Sequence, residues 1–279
     1  MPVNYTVRYA THPEAFKSYD TQRLREEFLI EDLFNPDTLN LIYSHYDRYI
    51  VGGVQPVNDS VQLETIDPLK SEHFLDRREL GVINVGGTGT ITADGTTYTL
   101  KNSEAIYVGR GTKEVTFASD GDEPALFYIN SAPAHLENPT KHVTLDEAET
   151  VELGSLEESN HRVINKLLVS SVVDTCQLQM GMTILKEGSV WNTMPAHVHD
   201  RRMEAYFYFD LPEDQVVSHF IGQPDESRHI FMKNNQAVLS PPWSIHCGAG
   251  TSSYSFIWGM AGENLDYGDM DTVDPTDMK

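Results

Sequence analysis

The residues most able to do chemistry lie close together in the second half of the chain. His197 and His199 are separated by one residue, and Glu204 follows five residues after His199. Successive side chains of a strand point to opposite faces, so two histidines at this spacing project to the same side. On a straight strand Glu204 would face the other way, so the chain must turn between His199 and Glu204 if all three side chains are to meet.

A third histidine completes a set of groups that could bind a metal. His246 follows Pro241-Pro242 near the end of the same region. Three neutral imidazoles and one carboxylate suit a divalent first-row metal and leave at least one position open for water or substrate. The sequence therefore predicts a catalytic metal site formed by His197, His199, Glu204 and His246. Two further histidines on predicted strands, His219 and His229, are candidates for contacts around that site.

The elements that must position these groups are short β-strands. From about residue 47, and again from 163 to 260, β-branched runs alternate with turn residues, which is typical of an antiparallel sandwich or barrel. Asp94-Gly95 lies between two alternating runs and predicts a tight hairpin. Residues 11–30 carry the clearest helical signals, with Thr11 and Asp20 as possible caps. We therefore expect an all-β fold with a few short N-terminal helices.

An internal repeat predicts two similar domains. The segment HFLDRRELGVINV at 73–85 matches HVHDRRMEAYFYF at 197–209, and EAIYVGRGTKE at 104–114 falls against QAVLSPPWSIH at 236–246. The matched segments occur in the same order on the same pattern of strands, as expected of a duplicated fold.

The same alignment predicts that only the second copy binds a metal. His73 aligns with His197, but the three remaining ligand positions are occupied in the first copy by Leu75, Leu80 and Glu114. We place an N-terminal domain without a metal site at residues 1–140 and a metal-binding domain at 141–279. The last ten residues are polar and acidic, and are expected to form a solvated tail.

Composition excludes several classes of partner. With 20 Lys and Arg against 42 Asp and Glu, the formal net charge is −22, which disfavours nucleic acid and anionic membrane surfaces. No run approaches the roughly 18 apolar residues of a membrane span, and the N-terminus has no apolar signal core. Cys176 and Cys247 are too few for a disulfide framework. These features predict a cytoplasmic protein.

Beyond these patterns, the chain resembles a known family. HxHxxxxE followed by a distant histidine resembles the metal-binding pattern of the cupin superfamily, although Trp243 stands where the second cupin motif usually has glycine. Over nearly its whole length the chain is similar to the 5-keto-4-deoxyuronate isomerases, also called 4-deoxy-L-threo-5-hexosulose-uronate ketol-isomerases. The strings that carry this resemblance include WNTMPAHVHDRRMEAYFYFDL (191–211), SPPWSIHCGAGT (240–251) and SHYDRYIVGGVQPV (44–57).

The resemblance implies a fold, a cofactor and a reaction. It implies two fused cupin barrels, each a double-stranded β-helix, with one Zn²⁺ per subunit on the four predicted ligands, and a homohexamer. The implied reaction interconverts 5-dehydro-4-deoxy-D-glucuronate and 3-deoxy-D-glycero-2,5-hexodiulosonate during uronate breakdown from pectin and glycosaminoglycans. This aldose–ketose shift needs an electrophile at the carbonyl and a base that moves a proton.

The sequence does not identify the base or the group that binds the substrate carboxylate. Tyr206 and Tyr208, which follow Glu204 on its side of the strand, are candidates for the base, as are a metal-bound hydroxide and a nearby histidine. Because the protein is acidic, an anionic substrate needs a local cation. Arg201, Arg202 and Arg228 lie in or beside the motifs, and we expect at least one of them to face the cavity.

Three other functions compete with this interpretation. A related isomerase acting on 5-deoxyglucuronate has the same fold. A cupin oxygenase would hold iron on the same three histidines and glutamate. A non-catalytic sugar-binding or storage protein with two cupin domains is the third alternative, but the complete ligand set of the second copy disfavours it.

Overall fold

The computed structural model describes residues 3–279, and β-strands dominate it. Two short helices, α1 (Pro13–Phe16) and α2 (Thr21–Phe28), lie where the sequence predicts them. The carboxylate of Asp20 accepts a hydrogen bond from the Arg23 amide at 2.8 Å and so caps α2, whereas His12, not Thr11, caps α1. No helix in the described chain combines the length and apolar character needed to cross a membrane.

The strands are short and are numbered in chain order. The first twelve are β1 (Asn4–Arg8), β2 (Leu29–Ile30), β3 (Leu39–Ser44), β4 (Ile50–Val54), β5 (Val61–Gln62), β6 (Arg78–Asn84), β7 (Gly89–Ala93), β8 (Thr96–Leu100), β9 (Ala105–Val108), β10 (Val115–Ser119), β11 (Phe127–Pro133) and β12 (Lys141–Val143). The others are β13 (Glu149–Leu153), β14 (Arg162–Leu168), β15 (Gln179–Leu185), β16 (Trp191–Asn192), β17 (His197–Val198), β18 (Arg202–Phe209), β19 (Val217–Gln223), β20 (Glu226–Met232), β21 (Gln236–Ser240), β22 (Ile245–Gly250), β23 (Ser255–Gly262) and β24 (Asp271–Thr272). Single 3₁₀ turns occupy Asp67–Leu69, Leu145–Glu147 and Pro275–Asp277.

The first repeat is formed by one large and one small sheet. The large sheet has the order β1-β3-β4-β11-β6-β9-β12, and the small sheet has the order β5-β10-β7-β8. The predicted hairpin is confirmed: β7 and β8 pair around Asp94 and Gly95, which both have positive φ, at 43° and 81°. Apolar side chains from both sheets form a continuous core. The fold is therefore an all-β sandwich of the expected class.

The second repeat has the same arrangement. Its large sheet runs β13-β14-β15-β23-β18-β21-β2, and its small sheet runs β16-β22-β19-β20. β18 lies between β23 and β21, as β6 lies between β11 and β9 in the first repeat. Both central strands begin at the second arginine of the matched Asp-Arg-Arg motif, at Arg78 and Arg202. The predicted internal repeat is thus confirmed as a repeat of topology.

The compact units of the chain do not follow a single boundary near residue 140. The first unit contains residues up to Arg8, Asp32–Glu149 and Lys166–Met180. The second contains Tyr9–Glu31, Thr150–Asn165 and Gly181–Lys279. The N-terminal helices belong to the second unit because β2, which follows α2, pairs with β21 at the edge of its large sheet. Sequence order could not show this long-range pairing.

The last ten residues are mostly exposed, as predicted for a solvated tail, but main-chain hydrogen bonds also hold them against the rest of the fold. β24, within the last ten residues, pairs antiparallel with β17, so that Thr272 lies opposite His197. The amide of Val273 donates to the carbonyl of Ala196 at 2.8 Å, and the amide of Lys279 donates to the carbonyl of Pro224 at 2.9 Å. The polar segment is fixed by main-chain hydrogen bonds, which leave no signature in side-chain composition.

Candidate metal centre

Three neighbouring elements bring the predicted ligands together. His197 opens β17, Glu204 is the third residue of β18, and His246 is the second residue of β22. His199 follows β17 in the bend that leads into β18, and its amide donates to the carbonyl of Pro242 at 3.1 Å. The expected turn between His199 and Glu204 is therefore present.

The four side chains form a compact group able to hold a metal ion. One nitrogen or oxygen from each lies within 4.8 Å of the others. The Nε2 of His199 is 2.8 Å from Oε1 of Glu204, and the Nε2 atoms of His197 and His246 are 2.9 Å apart. His199, Glu204 and His246 are at most 4% exposed. Three imidazole nitrogens and one carboxylate oxygen make a donor set that fits a divalent metal.

The outer ring nitrogens of two histidines have partners that orient the rings. The Nδ1 of His199 lies 2.7 Å from the carbonyl oxygen of Asp269, to which it can only donate. A proton on Nδ1 leaves the Nε2 lone pair free for a metal. The Nδ1 of His246 lies 3.2 Å from both the Ser240 hydroxyl and the Ser244 carbonyl.

The electrostatics of the group favour a neutral His197 and an ionised Glu204. Burial, and then the charge of His246, lower the pKa of His197 to about 3, so its imidazole is neutral near pH 7. Burial alone would raise the pKa of Glu204. His246 and His199 outweigh that effect and hold the pKa well below its ordinary value, so Glu204 is ionised.

A cavity of about 260 Å³ opens beside this group. Its wall includes two of the predicted ligands, His197 and Glu204, together with apolar, aromatic and polar side chains. These other wall residues are Leu153, Arg162, Ile164, Thr183, Thr193, Met194, Pro195, Tyr206, Phe256, Trp258, Met260, Tyr267 and Met270. A largely apolar wall with few polar groups is typical of a small-molecule site.

The two tyrosines proposed from the sequence differ in position. Tyr206 lines the cavity, and its hydroxyl lies 3.0 Å from that of Thr193. Burial, followed by the charge of Glu204, raises its pKa, so the phenol is protonated at neutral pH. Tyr208 is outside the cavity wall, and its hydroxyl lies 2.8 Å from Nδ1 of the buried His219. His229 is exposed and packs its ring against Phe231.

The structure does not bring the three expected arginines to the cavity. Arg201 is exposed and lies 3.5 Å from the carboxylate of Glu263. Arg228 pairs with Glu226 at 2.7 Å. Arg202 is buried, and its guanidinium donates to main-chain carbonyls of residues 264–269. None of the three is part of the cavity wall.

Arg162 is the cation that the sequence analysis missed. It is the first residue of β14, and in the part of the chain that the structure describes it is the one arginine or lysine in the cavity wall. Its Nη1 donates to the carbonyl of Asn160 at 2.9 Å. Arg162 lies 35 residues before His197, outside every motif. Only the pairing of strands places it near the predicted ligands.

Fold and site together define an all-β protein with two cupin-like repeats and, among the residues that the structure describes, one cluster suited to a metal ion. The chain belongs to the KduI/IolB family, whose model matches residues 37–275. A Formosa agariphila protein named 4-deoxy-L-threo-5-hexosulose-uronate ketol-isomerase is 62% identical over 280 residues, covering 100% of both chains. An Escherichia coli O8 protein of the same name is 54% identical over 276 residues, covering 98% of this chain and 99% of its own.

Solved structures show the same fold at low identity. An IolB-like protein from Salmonella typhimurium LT2 is 18% identical with a TM-score of 0.66, over 81% of this chain and 87% of its own. An oxalate decarboxylase from Lactobacillus farciminis is 10% identical with a TM-score of 0.55, over 81% and 79%. At these identities the likeness concerns the fold and not the chemistry.

Proposed function

We propose that this protein is a metal-dependent ketol-isomerase that interconverts 5-dehydro-4-deoxy-D-glucuronate and 3-deoxy-D-glycero-2,5-hexodiulosonate. The observation that carries the proposal is the cavity whose wall includes His197, Glu204 and Arg162. A uronate has a carboxylate at one end and a carbonyl next to a hydroxyl at the other. The cavity offers a matching cation and a matching cluster of metal ligands, and relatives of full length carry the corresponding name.

Arg162 is the residue that we assign to the substrate carboxylate. A guanidinium donates two parallel hydrogen bonds to a carboxylate, which fixes orientation as well as charge. With a net charge of −22 the protein as a whole repels an anion, so capture depends on such a local cation. This assignment replaces the expectation that Arg201, Arg202 or Arg228 binds the substrate.

His197, His199, Glu204 and His246 are the residues that would hold the metal. When bound there, a divalent metal supplies Lewis-acid polarisation of the substrate oxygens. We propose zinc as the ion, because an aldose–ketose shift moves protons and requires no change of oxidation state at the metal. The Asp269 carbonyl and the Ser240 hydroxyl orient His199 and His246 for that role.

Tyr206 is better suited to carry a proton to a substrate oxygen than to remove one from carbon. Its raised pKa keeps the phenol protonated at neutral pH, and its hydroxyl is held by Thr193 in the cavity wall. In the isomerisation one proton moves between adjacent carbons while another moves between their oxygens. Tyr206 fits the transfer between oxygens, and we exclude Tyr208 from the reaction because it is outside the wall.

Two properties implied by the resemblance complete the proposal. We infer a homohexamer in solution and a cytoplasmic location. Size-exclusion chromatography with light scattering tests the first, and fractionation of the source cells tests the second.

The deciding experiment is an isomerisation assay with unsaturated uronates released by a polysaccharide lyase. We expect turnover that stops with a chelator and returns with added zinc. Turnover of 5-deoxyglucuronate in place of this substrate would assign the protein to the related isomerase. Oxygen consumption dependent on iron would assign it to the oxygenases. Neither result is compatible with the proposal.

A further inference from the structure

Arg202 makes an unusual set of contacts for a residue so close to the predicted ligands. It is 1% exposed and lies two residues before Glu204. Its Nε donates to the carbonyl of Asn264 at 2.8 Å, and its Nη2 donates to the same carbonyl and, at 2.5 Å, to that of Asp266. Longer contacts of 3.5 and 3.4 Å join Nη1 to the carbonyls of Tyr267 and Asp269. All four acceptors belong to one segment of main chain.

This segment begins the C-terminal strap, which we define as residues 264–279. The carbonyl of Asp269 in the strap accepts the hydrogen bond from Nδ1 of His199. Tyr267 and Met270, also in the strap, form part of the cavity wall. Farther along, β24 pairs with β17, the strand that carries His197. The strap therefore contacts a predicted ligand and one side of the cavity.

The strap needs a donor such as Arg202 because most of it has no regular secondary structure. Between Asn264 and Met270 there is no strand or helix, and two main-chain hydrogen bonds lie inside the segment, from the Asp269 amide to the Asp266 carbonyl and from the Met270 amide to the Gly268 carbonyl. The planar guanidinium presents five N–H groups in a fixed geometry, which lets Arg202 bind several of these carbonyls at once. A lysine at this position would keep the charge but lose the fork of donors.

The first repeat provides an internal comparison. Arg78 holds the position equivalent to Arg202, is buried, and donates to main-chain carbonyls at Ser131 and Arg48, at 2.8 and 2.7 Å. Three of the four predicted ligands are replaced in that repeat. An arginine at this position thus anchors main chain whether or not a metal cluster is present, which argues against substrate contact as its main role.

We propose that Arg202 is a positioning residue, which holds the C-terminal strap so that Asp269 orients His199 and the strap closes one side of the cavity. The effect on turnover rests on the proposed function. The effects on strap order and metal affinity do not, because both are measured without substrate.

The test uses the full chain with Arg202→Lys and Arg202→Gln. In metal-free protein we expect amide hydrogen exchange of residues 264–273 to accelerate about tenfold or more, while residues 203–209 keep their protection. Zinc affinity should fall about 10- to 100-fold, the usual effect of losing an outer-shell contact. At saturating zinc, KM should rise.

Two control variants make the result specific. Arg201→Lys changes the neighbouring exposed arginine and should leave exchange, zinc affinity and KM unchanged. Arg78→Lys should speed exchange near Ser131 and leave the strap and zinc affinity as they are. Unchanged exchange of the strap with a raised KM would overturn the proposal and make Arg202 a substrate contact. Loss of protection throughout the second unit would overturn it too, because Arg202 would then be a general structural residue.

Discussion

Leu80 and Glu204 occupy the same position in the two repeats, as the third residues of the central strands β6 and β18. Both side chains are buried, with exposed fractions of 0% and 4%. Leu80 packs in the apolar core of the first repeat together with Leu75, which aligns with His199. The same strand position thus holds a core leucine in the first repeat and a candidate metal ligand in the second.

This relationship predicts one metal ion per chain. Because Leu75 and Leu80 belong to the apolar core of the first repeat, we expect only the second repeat to bind a metal. Elemental analysis of purified protein should give one zinc per chain, and His73→Ala should leave that value unchanged. A second equivalent of zinc that disappears in His73→Ala would contradict the assignment.

We expect His199→Ala to abolish turnover without unfolding the protein. The change removes one of the four predicted ligands, whereas the apolar cores of the two repeats are expected to supply most of the stability. Zinc content and isomerase activity should both be lost, while the far-ultraviolet circular dichroism spectrum stays that of a β protein. His229→Ala, at an exposed histidine, is the control and should retain both properties. If His199→Ala is unfolded, the predicted metal site has a structural role and not only a catalytic one.

Arg162→Met should raise KM by about 10- to 100-fold with a smaller change in kcat. The expected size follows from a charge-assisted pair of about 1.5–3 kcal/mol between the guanidinium and the substrate carboxylate. Steady-state kinetics provides the measurement. The matched control is Arg201→Met, because Arg201 lies outside the cavity wall. A normal KM for Arg162→Met would mean that another group binds the carboxylate.

The buried His219 should make stability depend on pH. Burial, with a smaller effect of His246, lowers its pKa from 6.5 to about 3 in the folded protein. Below pH 6.5 the unfolded chain therefore binds a proton that the folded chain excludes, and stability falls as the pH falls. The stability that comes from burying neutral His219 is fully present above pH 6.5 and is lost progressively as the pH falls towards 3.

Replacing this histidine tests the pH effect. Urea unfolding of metal-free protein at pH 7.5 and 5.5 should show the free-energy difference between wild type and His219→Gln narrowing by about 1 kcal/mol at the lower pH. His229→Gln is the exposed control and should show no such narrowing. If the difference in unfolding free energy between wild type and His219→Gln is the same at both pH values, the lowered pKa of His219 is contradicted.

Local features of the sequence determined the fold class and the placement of His197 and His199 on one side of the chain. The alternation of side chains along a strand places His197 and His199 on one side, and Asp94-Gly95 requires the positive φ values of a tight hairpin. These relations act over a few residues. The internal repeat was also visible in the sequence, and it predicted that both halves of the chain fold with the same topology.

Tertiary structure alone decided which other groups face the cavity and which segments form each unit. Arg162 reaches the cavity through the order of strands in a sheet, and β2 joins the second unit by pairing with β21. The Asp269 carbonyl meets His199 although 70 residues separate them. Every residue except proline carries the same main-chain donor and acceptor, so contacts made by carbonyls have no counterpart in residue type. Only the path of the chain in space selects them.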